Sequence, residues 1–118
     1  MKENKLIELS KMFAGDIVNL CTDIKENRKG NVLVNQLLRS GTSIGANINE
    51  ANYGQSKADF ISKMHIALKE TAETEYWLRL LILSEYISEK EGESLLNDCL
   101  EIKRILVATL NTAKNNNK

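Results

Sequence analysis

The sequence predicts an all-α protein, an antiparallel up-down-up-down four-helix bundle, and three observations predict it. The 118 residues include no proline, only six glycines and 5% aromatics, whereas an all-β domain needs more turn-forming, β-branched and aromatic residues. Four long stretches repeat apolar residues at spacings of three and four, the period of one helix face. Their connections are short, so neighbouring helices should run antiparallel in a single domain spanning residues 1–118.

The first two helices form one predicted pair. The first runs from about Asn4 to Glu26 and is followed by a charged connection in which Gly30 ends the helical pattern. The second runs from about Val32 to Tyr53 and stops at Gly54. The apolar stripes are Leu6, Leu9, Phe13, Ile17, Leu20 and Ile24 in the first helix, and Val34, Leu37, Gly41, Ile44, Ile48 and Ala51 in the second.

The last two helices have clear start signals. The third runs from about Lys57 to Leu83 behind a Ser56 cap, and the fourth from about Glu89 to Ala113 behind a Ser88–Glu91 capping box. The third stripe is Phe60, Met64, Ala67, Thr71, Leu78 and Leu81, with a second row of Ile61, Leu68, Ala72 and Tyr76 that widens it. The fourth stripe is Leu95, Cys99, Ile102, Leu106 and Thr109, flanked by Leu96, Leu100, Val107 and Leu110.

The second helix is unusually poor in charge. Between residues 31 and 54 only Arg39 and Glu50 are charged, whereas a surface helix normally carries many charges on its solvent face. Gly41 and Gly45 each cost roughly 1 kcal/mol relative to alanine in a helix, and close approach of another helix would offset that cost. We therefore expect a second cover, most naturally another subunit. The alternative is an exposed helix that simply has few charges.

Arg39 and Glu50 share a face but stand roughly 16 Å apart along the helix axis, so they cannot pair with each other. The third helix offers carboxylates, and we expect an Arg39–Glu73 ion pair. The predicted polar cluster, which fixes helix register and the subunit interface, consists of Arg39, Asn47, Glu50 and Glu73. The alternative is a pocket that binds a small ligand or catalyses a reaction.

Catalytic and metal-binding signals are weak. Di-iron chemistry in a bundle needs Glu-x-x-His motifs, and the single histidine, His65, lies in none. We expect no cofactor and no metal. Cys21 and Cys99 lie within apolar stripes and are expected to be buried, reduced thiols of a cytoplasmic protein. The N-terminus lacks the apolar core of a signal peptide, and no apolar run approaches membrane-spanning length.

Charge gives little bulk support for nucleic-acid binding, because sixteen basic residues balance sixteen acidic ones. Local groups of basic residues could still contact phosphates, and ordinary solvated charge is the alternative. One group flanks the first connection and the other follows Glu101. The candidate contacts are Lys25, Arg28, Lys29, Lys103, Arg104 and Lys114.

Residues 33–81 carry an ordered set of motifs. They are Arg39, then Ala46-Asn-Ile-Asn-Glu50, then Ser56-x-x-Asp-Phe60, then Ala67-Leu68, Glu73 and Trp77-Leu78. In this order and spacing they resemble the four-helix-bundle family of proteins encoded in intervening sequences of bacterial 23S ribosomal RNA genes. The resemblance covers the two middle helices tightly and the outer helices loosely.

That resemblance implies a short up-down bundle that assembles into a homopentameric ring. It also implies kinship to the accessory protein of diversity-generating retroelements, which works with a reverse transcriptase and nucleic acid. Two hypotheses follow. The first is a non-enzymatic homo-oligomer that acts as an adaptor or scaffold for structured RNA or DNA, or for a nucleic-acid enzyme. The second is an enzyme or small-ligand binder that uses the polar cluster around Arg39.

Overall fold

A computed structural model describes residues 2–28 and 32–115, with side chains from Lys5 onward. It contains α1 (Lys2–Asn27), α2 (Val32–Asn52), α3 (Lys57–Leu83) and α4 (Glu89–Asn115), and no strand occurs in these ranges. The all-α prediction is confirmed, and every helix end lies within two residues of its predicted position. The predicted stop at Gly30 lies outside the described residues.

The predicted caps of α3 and α4 are present. The hydroxyl of Ser56 accepts a hydrogen bond of 3.1 Å from the amide of Asp59, which satisfies one of the free donors at the start of α3. In the capping box of α4, the amide of Glu91 donates to the Ser88 hydroxyl at 3.1 Å. The amide of Ser88 donates to the Glu91 carboxylate at 3.2 Å.

Each helix packs against the next, and α1 closes the square against α4, whereas no contact joins the diagonal pairs within the described ranges. Two contacts give the direction of neighbouring helices. The Cys21 thiol near the end of α1 contacts the Val34 carbonyl at the start of α2, and Arg28, directly after α1, reaches Glu91 in the first turn of α4. Each joins the end of one helix to the start of its neighbour, as antiparallel packing requires. The Cys99 thiol of α4 contacts the Thr71 carbonyl near the middle of α3, and the short connection from Leu83 to Glu89 makes this pair antiparallel. The bundle measures 51 × 21 × 21 Å.

The core runs along the bundle axis and consists mainly of the predicted stripes. Two parts of the prediction are wrong. Beside the stripe of α4, Leu100 is 37% and Val107 41% exposed, and in the second row of α3, Ala72 is exposed and Tyr76 is 60% exposed. The second row of α3 lies on the outer surface because, within the described ranges, α3 contacts α2 and α4 only. The fully buried large side chains are Phe13, Leu6, Ile17, Ile24, Leu37, Ile44, Ile48, Met64, Leu78, Leu81, Ile102 and Leu106.

The glycines of α2 have an explanation within the chain. A Cβ atom on Gly41 would lie 3.0 Å from Cγ2 of Ile17, and one on Gly45 would lie 3.4 Å from the carbonyl oxygen of Ser10. Both residues therefore let α1 approach α2 closely. The glycines thus give no support to a second subunit, and the expectation of a second cover depends on the uncharged outer surface of α2 alone.

None of the described helices is both long enough and apolar enough to cross a membrane. Among the described residues, no three His, Cys, Asp or Glu side chains come close enough together to hold a metal ion.

Candidate functional site

The side chain of Arg39 joins α2 to α3. Its guanidinium forms an ion pair with Glu73, as predicted, and a second with Glu70 at an Nη1–Oε1 distance of 3.3 Å. The indole Nε1 of Trp77 donates a hydrogen bond of 3.2 Å to the same Glu73 carboxylate. We call Arg39, Glu70, Glu73 and Trp77 the Arg39 cluster. The carboxylates lie one helical turn or less apart on α3, so one guanidinium reaches both.

A buried hydroxyl pair lies directly beneath this cluster. The hydroxyls of Ser40 and Thr74 are fully buried and form a hydrogen bond of 2.9 Å between α2 and α3. Thr74 also hydrogen bonds to the carbonyl oxygen of Glu70 at 2.8 Å. A buried hydroxyl without a partner costs roughly 1–3 kcal/mol, so the pair fixes the register of the two helices. The pair was not predicted from the sequence, although Ser40 beside Gly41 and Thr74 between Thr71 and Leu78 occupy core-facing helix positions, which was a usable signal.

The predicted polar cluster does not come together as one pocket. The side-chain amide of Asn47 donates to the carbonyl oxygen of Ser43 in its own helix at 2.8 Å. Glu50 pairs with Lys63 of α3 at 2.9 Å. Both residues lie nearer to the α2–α3 turn than Arg39 does. The proposed grouping of Arg39, Asn47, Glu50 and Glu73 is therefore corrected to two separate ion-pair sites and one intrahelical hydrogen bond.

The energetics of the Arg39 cluster are those of a partly exposed ion pair. The Arg39 side chain is 48% exposed and the Glu70 side chain 18% exposed. Pairs with this much access to water typically contribute about 0–1 kcal/mol each. Because the charged groups are paired with one another, the cluster is suited to holding α2 against α3.

The first group of basic candidates lies where α1 ends. Arg28 donates to the carbonyl oxygen of Tyr86 at 2.9 Å and forms ion pairs with Asp23 and Glu91 at 2.9 and 3.1 Å. The hydrogen bond from Arg28 holds the pKa of Glu91 below its ordinary value, and the Ser88 amide adds to this. Lys25 is exposed, and Lys29 lies outside the described residues. Arg28 therefore joins α1 to the α3–α4 connection and is not free for phosphate.

The second group of basic candidates follows the middle of α4. Lys103 forms an ion pair with Glu75 of α3 at 3.2 Å, and Arg104 pairs with Glu101 in its own helix. Burial raises the pKa of Glu75, but hydrogen bonds from Lys103 and Arg79 outweigh it and the net pKa is lowered. Lys114 is exposed in the last turn of α4 and forms no ion pair within the described residues.

The arrangement of the helices has a close counterpart among solved structures. A crystal structure at 1.70 Å resolution, of a protein of unknown function from the S23 ribosomal protein family of Bacteroides thetaiotaomicron VPI-5482, superposes with a TM-score of 0.92. The two sequences are 51% identical over 94% of this chain and 99% of that one. A comparison with functionally curated proteins finds no match.

The family model of the 23S rRNA-intervening sequence protein matches residues 2–108, from the start of α1 into the second half of α4. The chain belongs to this family. The match confirms the family that the motifs of the two middle helices indicated, and it extends beyond those motifs to both outer helices.

This member of the 23S rRNA-intervening sequence family separates its charges along the bundle axis. We divide the described side chains into a basic half (residues 5–14, 43–69 and 103–115), which contains the α2–α3 turn, and an acidic half (15–28, 32–42 and 70–102). The basic half carries Lys5, Lys11, Lys57, Lys63, Lys69, Lys103, Arg104 and Lys114 against Glu8, Glu50 and Asp59. The acidic half carries Lys25, Arg28, Arg39, Arg79 and Lys90 against Asp16, Asp23, Glu26, Glu70, Glu73, Glu75, Glu85, Glu89, Glu91, Glu93, Asp98 and Glu101.

This separation divides the predicted nucleic-acid contacts between the two halves of the bundle. Lys25 and Arg28 lie in the acidic half, whereas Lys103, Arg104 and Lys114 lie in the basic half. The five candidates that the structure describes therefore do not form one continuous surface on a single chain.

Proposed function

We propose that the chain is a non-enzymatic homo-oligomeric scaffold, an adaptor that carries structured nucleic acid or an enzyme acting on it. The adaptor role is the one that the family resemblance implies, through kinship to the accessory protein of diversity-generating retroelements. The observation that carries the oligomer is a pair of different faces on opposite sides of the bundle, a groove and a set of exposed apolar side chains. One lies on the α1–α2 pair and the other on the α3–α4 pair.

The α1–α2 face is a groove lined by short side chains. Most of its lining is small, from Ser10, Ala14, Thr42, Gly45 and Ala46, and the longer side chains Ile7, Lys11 and Asn49 complete it. Gly45 is only partly covered, and Ala46 is exposed. A groove built from small residues accepts larger side chains from a second helix pair, as close helix packing requires.

The α3–α4 face carries larger apolar side chains. Tyr76 is 60% exposed, Leu83 79%, Leu100 37% and Val107 41%. By helix periodicity all four point away from the core on the outer side of this pair, together with Ala72. An apolar surface of this kind on a small domain marks a site of association.

A contact between two different faces is heterologous, and it generates a ring when its rotation closes and an open filament when it does not. We propose the ring because the family resemblance implies one. Because the two faces lie on opposite sides of the bundle, each chain can contact one neighbour through each face. The family resemblance sets the expected number of chains at five. The uncharged outer surface of α2, which borders the groove, would lie next to this contact.

The competing function is an enzyme or ligand binder that uses the polar residues of α2 and α3. That function needs polar groups turned towards an open cleft. Instead, Arg39 and Glu73 pair with each other, and Glu50 pairs with Lys63. This pairing favours the scaffold.

We also propose that the protein works in the cytoplasm. Cys21 and Cys99 are buried free thiols, and burial raises the pKa of Cys21 to about 11 and that of Cys99 to about 12. Unpaired cysteines kept as thiols are typical of a reducing compartment.

The test is the mass of the native particle, measured by light scattering after size exclusion and by native mass spectrometry. We expect five times the chain mass of 13.3 kDa. Ala46→Glu places a charge in the groove and should shift the particle towards smaller species. The matched control is Ala108→Glu, the same substitution at an exposed position of α4 outside both faces. A monomer for the unmodified chain, or equal effects of the two substitutions, would contradict the proposal.

A further inference from the structure

The lysines that form no ion pair are concentrated in the basic half. Within the described residues these are Lys5, Lys11, Lys57, Lys69 and Lys114, and all five are exposed. In the acidic half only Lys25 and Lys90 are free in this sense, because its three arginines are held in ion pairs. The basic half therefore has ammonium groups available for an external anion.

The end of the basic half also presents an aromatic ring. Tyr53 directly follows α2 and is 76% exposed, which leaves its ring open to solvent. The neighbouring Asn52 and Gln55 are exposed amides. In the antiparallel bundle this turn and the last turn of α4 lie at the same end, so Lys57 and Lys114 lie at the same end as Tyr53.

Free lysines together with an exposed aromatic ring are suited to binding nucleic acid. Lysines bind phosphates by releasing counterions, and an exposed aromatic ring stacks on an unpaired base. Structured RNA offers both partners together, because its loops expose unstacked bases next to a dense phosphate backbone. A blunt duplex keeps its bases stacked and offers only the phosphates.

We propose that the basic half binds structured RNA, its free lysines contacting the phosphates while Tyr53 stacks on an unpaired loop base. The acidic half repels phosphates, so the RNA is held at one end of the bundle only. RNA binding by the basic half deepens the proposed adaptor function and rests on it, because that function makes nucleic acid the class of ligand. It does not depend on the number of chains in the particle.

The first experiment is a fluorescence-anisotropy titration of the full chain with a labelled RNA hairpin, repeated between about 50 and 200 mM salt. Two double variants are compared, Lys57→Gln/Lys114→Gln in the basic half and Lys25→Gln/Lys90→Gln in the acidic half. Each removes two exposed charges that form no ion pair, so the net charge changes equally. The first should lower the slope of log Kd against log salt by about two and weaken binding at least tenfold at 100 mM salt. The second should change Kd less than threefold.

The second experiment tests the ring. Tyr53→Leu should weaken binding of the hairpin by roughly 5- to 150-fold, the loss expected for one stacked base. It should leave binding of a blunt RNA duplex of equal length unchanged. Equal losses for hairpin and duplex would overturn the stacking contact.

The mass of the particle is measured by light scattering on the same samples, so that assembly and RNA binding are determined separately. An oligomer that binds no hairpin at low salt overturns the RNA inference and leaves the oligomeric scaffold standing. Equal weakening by the two double variants also overturns it, because binding would then follow net charge and not the basic half. A monomer that binds the hairpin through Lys57 and Lys114 supports the RNA inference and overturns the proposed ring.

Discussion

Glu85, which follows α3, is strained in a way that a single substitution relieves. Its φ angle is 63°, in the left-handed region, and it is the only residue other than glycine with positive φ in the described ranges. The amide of Tyr86 donates to the carbonyl oxygen of Leu81 at 3.0 Å, and the amide of Glu85 donates to that of Ile82 at 3.1 Å. These are the two bonds of a Schellman motif, in which glycine is the preferred residue at the position of Glu85.

The magnitude follows from two opposing terms. The left-handed conformation costs a residue with a Cβ atom about 1–2 kcal/mol, and glycine avoids this cost. Glycine loses more backbone entropy on folding, which costs about 0.5–1 kcal/mol. Glu85→Gly should therefore raise the free energy of unfolding by about 0.5–1 kcal/mol, which corresponds to a rise in Tm of roughly 2–5 °C for a chain of this length.

The matched control is Glu93→Gly, the same substitution at an exposed position inside α4. There the φ angle is already helical, so glycine should lower stability by about 0.7 kcal/mol relative to glutamate. Both variants lose one carboxylate from the acidic half, so a change in electrostatic repulsion cannot explain stability shifts of opposite sign. The assay is thermal unfolding followed by circular dichroism at one fixed protomer concentration. Shifts of the same sign would refute the reasoning from backbone strain.

Two further predictions concern α1, α2 and the start of α4. A Cβ on Gly15 would meet nothing within 4 Å, whereas one on Gly41 would press on the buried side chain of Ile17 in α1. The free energy of unfolding of Gly15→Ala, measured in urea, should therefore exceed that of Gly41→Ala by about 1–3 kcal/mol. A destabilising Gly15→Ala would contradict this. The pKa of Glu91 is lowered from its ordinary value of 4.5, so its contribution to stability is present above about pH 4.5 and is lost as the pH falls through the folded-state pKa. The stability difference between the unmodified chain and Glu91→Gln should be constant from pH 7 to 5 and shrink below, and a difference that grows on acidification would contradict the pairing.

The fold could be predicted closely from the sequence, because the signals that define a bundle are local. The capping box at Ser88–Glu91 and the cap at Ser56 fix two helix starts through bonds within four residues. Every residue of the predicted α2 stripe is buried, and Ser40 is the one buried residue of this helix that the stripe did not include. Tyr76 was misplaced for a related reason: periodicity assigns a residue to a face of its helix, but the position of the neighbouring helices decides whether that face is covered.

The candidate site could be predicted only in part, because it depends on distances between helices. The Arg39–Glu73 pair was predicted from complementary charge on adjacent helices, and it forms. The grouping of Asn47 and Glu50 with this pair failed, because a long helix spreads its residues along the axis and each side chain finds the nearest partner. The buried Ser40–Thr74 bond was missed because hydroxyl residues inside apolar stripes resemble ordinary small core residues.

The net charge of the chain conceals how its charges are distributed. A net charge of zero gives no bulk support for nucleic-acid binding, but the bundle places most of its free lysines in one half and most of its carboxylates in the other. In a ring with a single rotation axis every chain has the same orientation relative to that axis. If the bundles in such a ring lie along its axis, the basic halves of all chains meet at one rim. Their electrostatic potentials add there. The net potential at one rim attracts a polyanion even when the whole particle is neutral. The bundle is 51 Å long, so the centres of its two halves lie further apart than the Debye length of about 10 Å at 0.1 M salt. Assembly would thus convert a neutral chain into a particle with one strongly basic rim.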